Sequence, residues 1–318
     1  MKYIIKYNIF NVLLILASIN SLHSQDSILS NGEDLVLGCK SYAARKKNTW
    51  IALSTATAGT HLALYHTWYK NEPQSRFHWI NDNHNWLQMD KIGHVFGAYF
   101  SATAASAAFR YSGYNKHKSA ILGAGFSLAF QMTFEYFDGK STAWGASSGD
   151  ILANATGTLS AGLQNWFWGK PRIHVRVTFH KSPFASYRPK MLGTALPERM
   201  LKDYNGQTYW LDLNPERLRA RPRFWPKWLG INVGYGADGM LGGDDNIWTG
   251  VDGKIQDYSH VRRFRQYYLG PSISFGYLKK HPKKAIRILA HITDKIRLPL
   301  PVIEFNGKIT WVFHPMYW

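Results

Sequence analysis

Residues 50–68, 90–109, 119–136 and 150–168 share one texture, rich in Ala, Gly, Ser and Thr and nearly free of internal charge. Each runs for about eighteen residues, the lower limit for spanning hydrocarbon as a helix. Gly93, Gly97, Ser101 and Ala105 recur at spacing four, a ridge of small side chains that lets helices approach closely. The pattern predicts four helices packed as a membrane-type small-residue bundle, with an Ala-rich soluble bundle as the alternative. After Pro171 the texture changes. Residues 173–179 alternate, 228–235 and 267–277 read as strands interrupted by Gly, and 309–313 follows an Asn306-Gly307 hairpin signal. Residues 283–293 read as a short basic helix. The fold class expected is therefore α+β, a four-helix bundle followed by a β-rich C-terminal region. Five or six strands are too few to close a barrel from one chain, although the chain ends on Trp318, an aromatic terminus of the kind outer-membrane barrels carry.

The start of the chain reads as a secretory leader. Lys2 and Lys6 precede an apolar stretch from Ile9 to Ile19, and Ser24 offers a small residue for cleavage. Four segments follow: signal peptide 1–24, linker 25–48, helical domain 49–170 and basic β-rich region 171–318. Val36-Leu37-Gly38-Cys39 resembles a lipoprotein cleavage box, but Glu33 and Asp34 stand where its apolar segment belongs, so a buried free thiol is the better reading of Cys39. Basic residues flank the bundle end that would face outward after cleavage, against the positive-inside rule for an inner-membrane bundle, so the expected location is the periplasm or outer membrane.

Composition narrows the class. With 318 residues, 45% apolar and 15% aromatic, the chain can bury a core and is neither a disordered tail nor a collagen-like fibre. A single cysteine excludes a disulfide framework and a Cys-based zinc site. Residues 169–318 carry 25 basic and 11 acidic residues, an excess of 25 − 11 = 14. Arg217, Arg219, Arg221 and Arg223 alternate there, and Arg262, Arg263 and Arg265 cluster. In an exported protein such a surface, interleaved with Trp225, Trp228 and Tyr267, suits a membrane or anionic lipid rather than nucleic acid; solvated loops are the alternative. Protein partners are not indicated.

The candidate chemistry lies in the bundle. Helices joined by short connections alternate in direction, which would gather at one end Asp90, Lys91 and His94, then Glu135 and Asp138, then Asp150 with Asn154. Spacings of three and four place each set on one helical face. Asp90 and Asp150 stand where N-caps are wanted. Glu135 and Asp138 sit in a last helical turn, where the dipole disfavours negative charge, so compensation from Lys91, His94, Lys140 or a cation is expected. If the site is catalytic, His94 would act as acid or base, with Glu135, Asp138 and Asp150 as base or metal ligands. Neither a metal nor any other cofactor can be named. His61 and His66, five apart, do not share a face as ligands would. The acidic run Asp238, Asp244, Asp245 and Asp252 lacks the twelfth-position glutamate of a calcium loop, and no nucleophile elbow occurs.

The ordered set Asp90-Lys91-x-x-His94, Glu135-x-x-Asp138-Gly139 and Ser148-Gly149-Asp150 with Asn154 and Gly157 resembles the YfiM-like family of predicted periplasmic lipoproteins, a domain of unknown function, over about residues 86–165. It is more distantly similar to VanZ-like membrane proteins, whose usual Arg after the Glu is absent here. The resemblance implies an envelope location and no settled reaction. Two functions follow: an envelope protein with a structural or lipid-binding role, or an envelope hydrolase or transferase acting on a phosphate-bearing lipid, with metal assistance as an option.

Overall fold

The computed structural model describes residues 34–70, 72–250, 252–275, 278, 281–283, 285–287, 290, 297–307 and 311–317. The leader, Trp318, the Cys39 side chain, most of the 283–293 segment and the turn after Gly307 lie outside the described residues. The chain forms two compact units, a helical one within Met1–Asp82 and Gly97–Pro171 and a sheet one comprising Asn83–Phe96 and Arg172–Trp318.

In the helical unit, α1 (Asp34–Leu64) continues into a π turn, Tyr65–Tyr69. Then come α2 (Met89–Tyr111), whose first two turns belong to the sheet unit, α3 (Lys116–Gly139) and α4 (Ser148–Trp168). The first helix starts well before residue 50, inside the segment read as a linker. The other three begin and end within three residues of their expected limits. No helix among the described residues is long and apolar enough to cross a membrane, so the spanning bundle foreseen from the sequence is not what the structure contains.

Small residues set the packing. A methyl group at Gly123 of α3 would lie 2.6 Å from the Ser106 backbone nitrogen of α2, a distance real side chains do not adopt. Leu53 of α1 packs with Ala105, Ala108 and Phe109, against which Leu122 and Phe126 of α3 rest. Deeper in, Ser127 Oγ lies 2.9 Å from Ser101 Oγ and 3.0 Å from Thr158 Oγ1, tying α2, α3 and α4 by hydroxyls. His61 stacks on Phe134 with ring centroids 4.6 Å apart and bonds the Thr57 carbonyl, an aromatic packing role. A short parallel pair, β1 (Trp79–Ile80) with β2 (Ala146–Ser147), completes this unit.

The sheet unit is built on six strands, β3 (Ile173–Phe179), β4 (Gln207–Leu213), β5 (Leu229–Asp238), β8 (Phe264–Ile273), β9 (Leu300–Asn306) and β10 (Val312–Tyr317). They form an antiparallel meander in the order β10-β9-β8-β5-β4-β3. A separate hairpin, β6 (Ile247–Thr249) with β7 (Ile255–Asp257), interrupts it between β5 and β8.

Strand β4 lies where the sequence placed no strand, whereas β9 is the strand that the Asn306-Gly307 hairpin signal implies before the turn, without its bounds having been given. The first mixes Gln, Thr and Asp with its aromatics, and the second carries Pro301, which argues against a strand on sequence grounds.

The meander's inner face is polar. Asp212, fully buried, lies 2.6 Å from Arg176 and 2.5 Å from Arg217, and Ser272 Oγ donates to it at 2.6 Å. Arg217, expected in a basic solvent patch, is thus turned inward. Tyr317 Oη donates to Tyr268 Oη at 2.8 Å, Gln266 Nε2 to Glu304 at 3.1 Å, and His314 pairs with Glu304 at 2.7 Å. Gly234 faces Trp210 across the ladder, where a methyl would sit 2.6 Å from the indole ring. Tyr317 on β10 also reaches Thr208 on β4, 3.1 Å away, so the sheet curls until its far strands face each other.

Removing the Asp212 charge would leave two buried guanidinium groups without their shared anion. Asp212→Asn is expected to lower stability by about 3–5 kcal/mol, read by chemical denaturation. Gly123→Ala is expected to cost about 1–3 kcal/mol through overpacking in the same assay, whereas Gly125→Ala, which meets open space, leaves stability unchanged or slightly raised.

Candidate functional site

The sequence-predicted polar residues are described in two groups, one in each unit. In the helical unit the centre is Glu135. The last turns of α3 bury it at 3% exposure, beside Gln131 one turn earlier. Asn154 Nδ2 of α4 donates to Oε1 at 3.1 Å, and the Ser147 backbone N–H donates to Oε2 at 3.4 Å. Both donors come from the start of α4, whose positive dipole end favours a carboxylate as much as the end of α3 disfavours it. Part of the compensation demanded by Glu135 is thereby supplied by an amide and a helix terminus.

Ser147 organises this end. Pairing of β1 with β2 sets it opposite Ile80. Its Oγ donates to Asp82 Oδ1 at 2.6 Å and accepts from Gly149 N at 3.1 Å and Asp150 N at 3.3 Å. Ser147 is therefore the N-cap of α4, and Asp150, expected to be the cap, is a buried first-turn acid instead. Asp138 serves elsewhere: Tyr69 Oη, in the turn after α1, donates to its Oδ1 at 2.6 Å. Lys140 caps the end of α3 through its backbone.

In the sheet unit the first turns of α2 rest on β4 and β5 through Met89, buried with Tyr209, Ala237 and Met240. This docking places Asp90 beside Tyr204, whose Oη donates to Oδ1 at 2.5 Å. Lys91 Nζ lies 3.3 Å from Asp90 Oδ2, and His94 Nε2 3.9 Å away on the next turn, an ion-pair separation rather than a hydrogen bond. Burial works against the Asp90 charge, but the His94 and Lys91 charges and the hydrogen bonds from Tyr204 and Lys91 prevail, so its carboxyl lies below the ordinary value. Tyr209 is pushed up by burial and by the Asp90 carboxylate. Asp90 starts a helix that begins at Met89, so it is a first-turn acid rather than a cap.

Glu135 and Asp150 are buried acids of the helical unit, and Asp90 pairs with His94 in the sheet unit. Sequence reasoning missed Ser147, Asp82, Tyr204 and Tyr209. A Ser-Ser-Gly-Asp run does signal a capping serine, but nothing local marks Tyr204, which lies 114 residues from Asp90.

A family model described as "Predicted periplasmic lipoprotein (DUF2279)" matches residues 78–166, which include every one of the seven predicted site residues. The description agrees with export to the periplasm or outer membrane. The similarity to VanZ-like proteins is not shown. No curated protein and no solved structure matches the chain.

Two measurements probe these groups. Glu135→Gln replaces one of two acceptor oxygens by a donor where two donors converge, and is expected to lower stability by about 1–3 kcal/mol in a denaturant melt. Asp90, with a depressed folded pKa, stabilises the fold above its unfolded value and loses that contribution as pH falls through the folded value. The stability gap between parent and Asp90→Asn is therefore expected to shrink as acid protonates Asp90, as measured by denaturation across a pH series.

Proposed function

We propose that the protein works at an envelope membrane in a structural or lipid-binding role, with the Glu135 centre as the polar site of its helical unit. The observation that carries this reading is the surface of α4. Leu152, Leu159, Leu163 and Phe167, at spacings of seven, four and four, form one stripe and are 53–69% exposed. The opposite face buries Asp150, Asn154, Thr158 and Asn165. This ordering is the reverse of what water selects, since burying each Leu or Phe is favourable by about 1.5–3 kcal/mol. Apolar lipid removes the penalty. No described helix is both long and apolar enough to span, so the contact fits a helix lying in the interface. The net excess of 14 positive charges in residues 169–318 adds attraction to anionic headgroups. The family description, a periplasmic lipoprotein, supports the compartment. The enzymatic reading, with His94, Glu135 and Asp150 as reacting groups, gains no observation of its own from the geometry.

Vesicle co-sedimentation of the full chain tests the proposal. Binding is expected to be stronger to anionic than to neutral vesicles and to weaken with salt. The double substitution Leu159→Ser with Leu163→Ser is expected to reduce binding to both by about tenfold or more. Parent-like binding by that variant, or no preference for anionic vesicles at low salt, would refute it.

A further inference from the structure

The curled sheet carries the same inversion in a stronger form. Along β4, β5, β8 and β9, the residues pointing inward are Thr208, Trp210, Asp212, Asn232, Tyr268 and Glu304, all buried. Their neighbours in sequence point outward. Leu211, Ile231, Val233, Leu269, Ile303 and, on β10, Phe313 are apolar and 38–66% exposed. A sheet with one face in water buries its apolar set and exposes its polar set; here the strands do largely the opposite, with Val302 of β9 a buried apolar exception.

Register slip does not account for this. Moving a strand by one residue would exchange its faces, but the register is pinned from inside by the Arg176–Asp212 pair, the Ser272–Asp212 bond and the Gln266–Glu304 bond. Polar groups inside a curl and apolar groups outside it are the arrangement of a β-sheet whose surroundings are hydrocarbon.

From this alternation we propose that the six-stranded sheet inserts into a lipid bilayer as a partial barrel, with acyl chains against the part of its outer face that the first turns of α2, seated on Tyr209 and Ala237, leave exposed. The proposal rests on the membrane reading above but uses a different surface. The two longest strands, at the centre of the sheet, match a bilayer in length. Strands β5 and β8 have 10 residues each, and ten residues tilted at about 45° rise about 24 Å along the membrane normal, close to the apolar band of about 25 Å around outer-membrane barrels. Charge agrees as well, because the net excess of 14 positive charges in residues 169–318 draws this region to anionic headgroups.

The edges need an answer, since open rows of backbone donors and acceptors are not tolerated in hydrocarbon. Strands β3 and β10 end the sheet. Between them Arg297 Nη1 donates to the Tyr317 carbonyl at 2.6 Å, and residues 297–299 share a cleft of about 440 Å³ with Val177, Phe179 and Lys181 of the β3 side. At this seam Arg297 is bonded to β10, and the 297–299 segment lines a cleft beside β3.

The test uses the full chain, with Cys39→Ser as background, reconstituted in phosphatidylethanolamine–phosphatidylglycerol vesicles. Single cysteines replace Val233, Leu269 or Ile303 on the outer face, and Lys254 on the β6–β7 hairpin, and carry a polarity-sensitive fluorophore. The three outer-face probes are expected to shift to shorter emission wavelengths and to be quenched by chain-labelled doxyl lipid, with aqueous iodide reaching them several-fold less than the Lys254 probe. In parallel, Ile303→Asp is expected to lower the inserted fraction by about tenfold or more, while Ile255→Asp, on a residue 73% exposed outside the meander, leaves it unchanged. Vesicle-bound protein whose outer-face probes are as open to iodide as Lys254 would overturn the inference and leave the membrane role standing. Equal loss from the two aspartate substitutions would overturn it too. Protein that does not bind vesicles at all would overturn both.

Discussion

A carboxylate removed from water must be given its donors by the fold, and this constraint organises both units. Asp212 holds Arg176, Arg217 and Ser272 around one fully buried side chain, linking β3, β4, β8 and the turn after β4. Glu135 draws the start of α4 onto the end of α3 through Asn154 and the Ser147 amide. In each case the polar contact costs little when complete and much when broken, because the unpaired partner remains buried. Such contacts specify one register and one helix pairing more sharply than apolar packing would.

The same constraint explains what lies outside. Interiors that hold so many Ser, Thr, Asn, Asp and Arg side chains leave many of the large apolar ones on the surface, as Leu159 on α4 and Leu269 on β8 show. Close approach then substitutes for bulk: Gly123 lets α3 meet Ser106, and Gly234 receives the face of Trp210. A protein built this way is at ease where its surroundings are apolar, and the proposed membrane role follows from that energetic ordering rather than from any hydrophobic helix.

Much of the helical unit was legible from local chemistry. Ala-rich, charge-free runs with small residues at spacing four mark α2, α3 and α4, and the unfavourable position of Glu135 at a helix end announced a partner. The alternation of residues 173–179 marked β3. The extent of β9 was obscured by Pro301 and β4 was hidden by its polar residues, because strand recognition assumes a polar face turned to water, and here the polar face is turned inward. The cap of α4 was misassigned to Asp150, since several capping residues stand in a row and only backbone geometry distinguishes Ser147.

By itself the sequence determined the helices, the change of texture at Pro171, the excess of basic charge and the residues able to form a polar site, all of which depend on neighbours a few positions apart. Tertiary structure alone decided which way each face points and which distant groups meet. Tyr204 reaches Asp90 across 114 residues, Arg217 leaves its basic run for Asp212, and Tyr317 closes on Thr208. These pairings arise from the curl of the sheet and the docking of Met89 upon it, and residues so far apart in the chain leave no periodic trace of the contact they make.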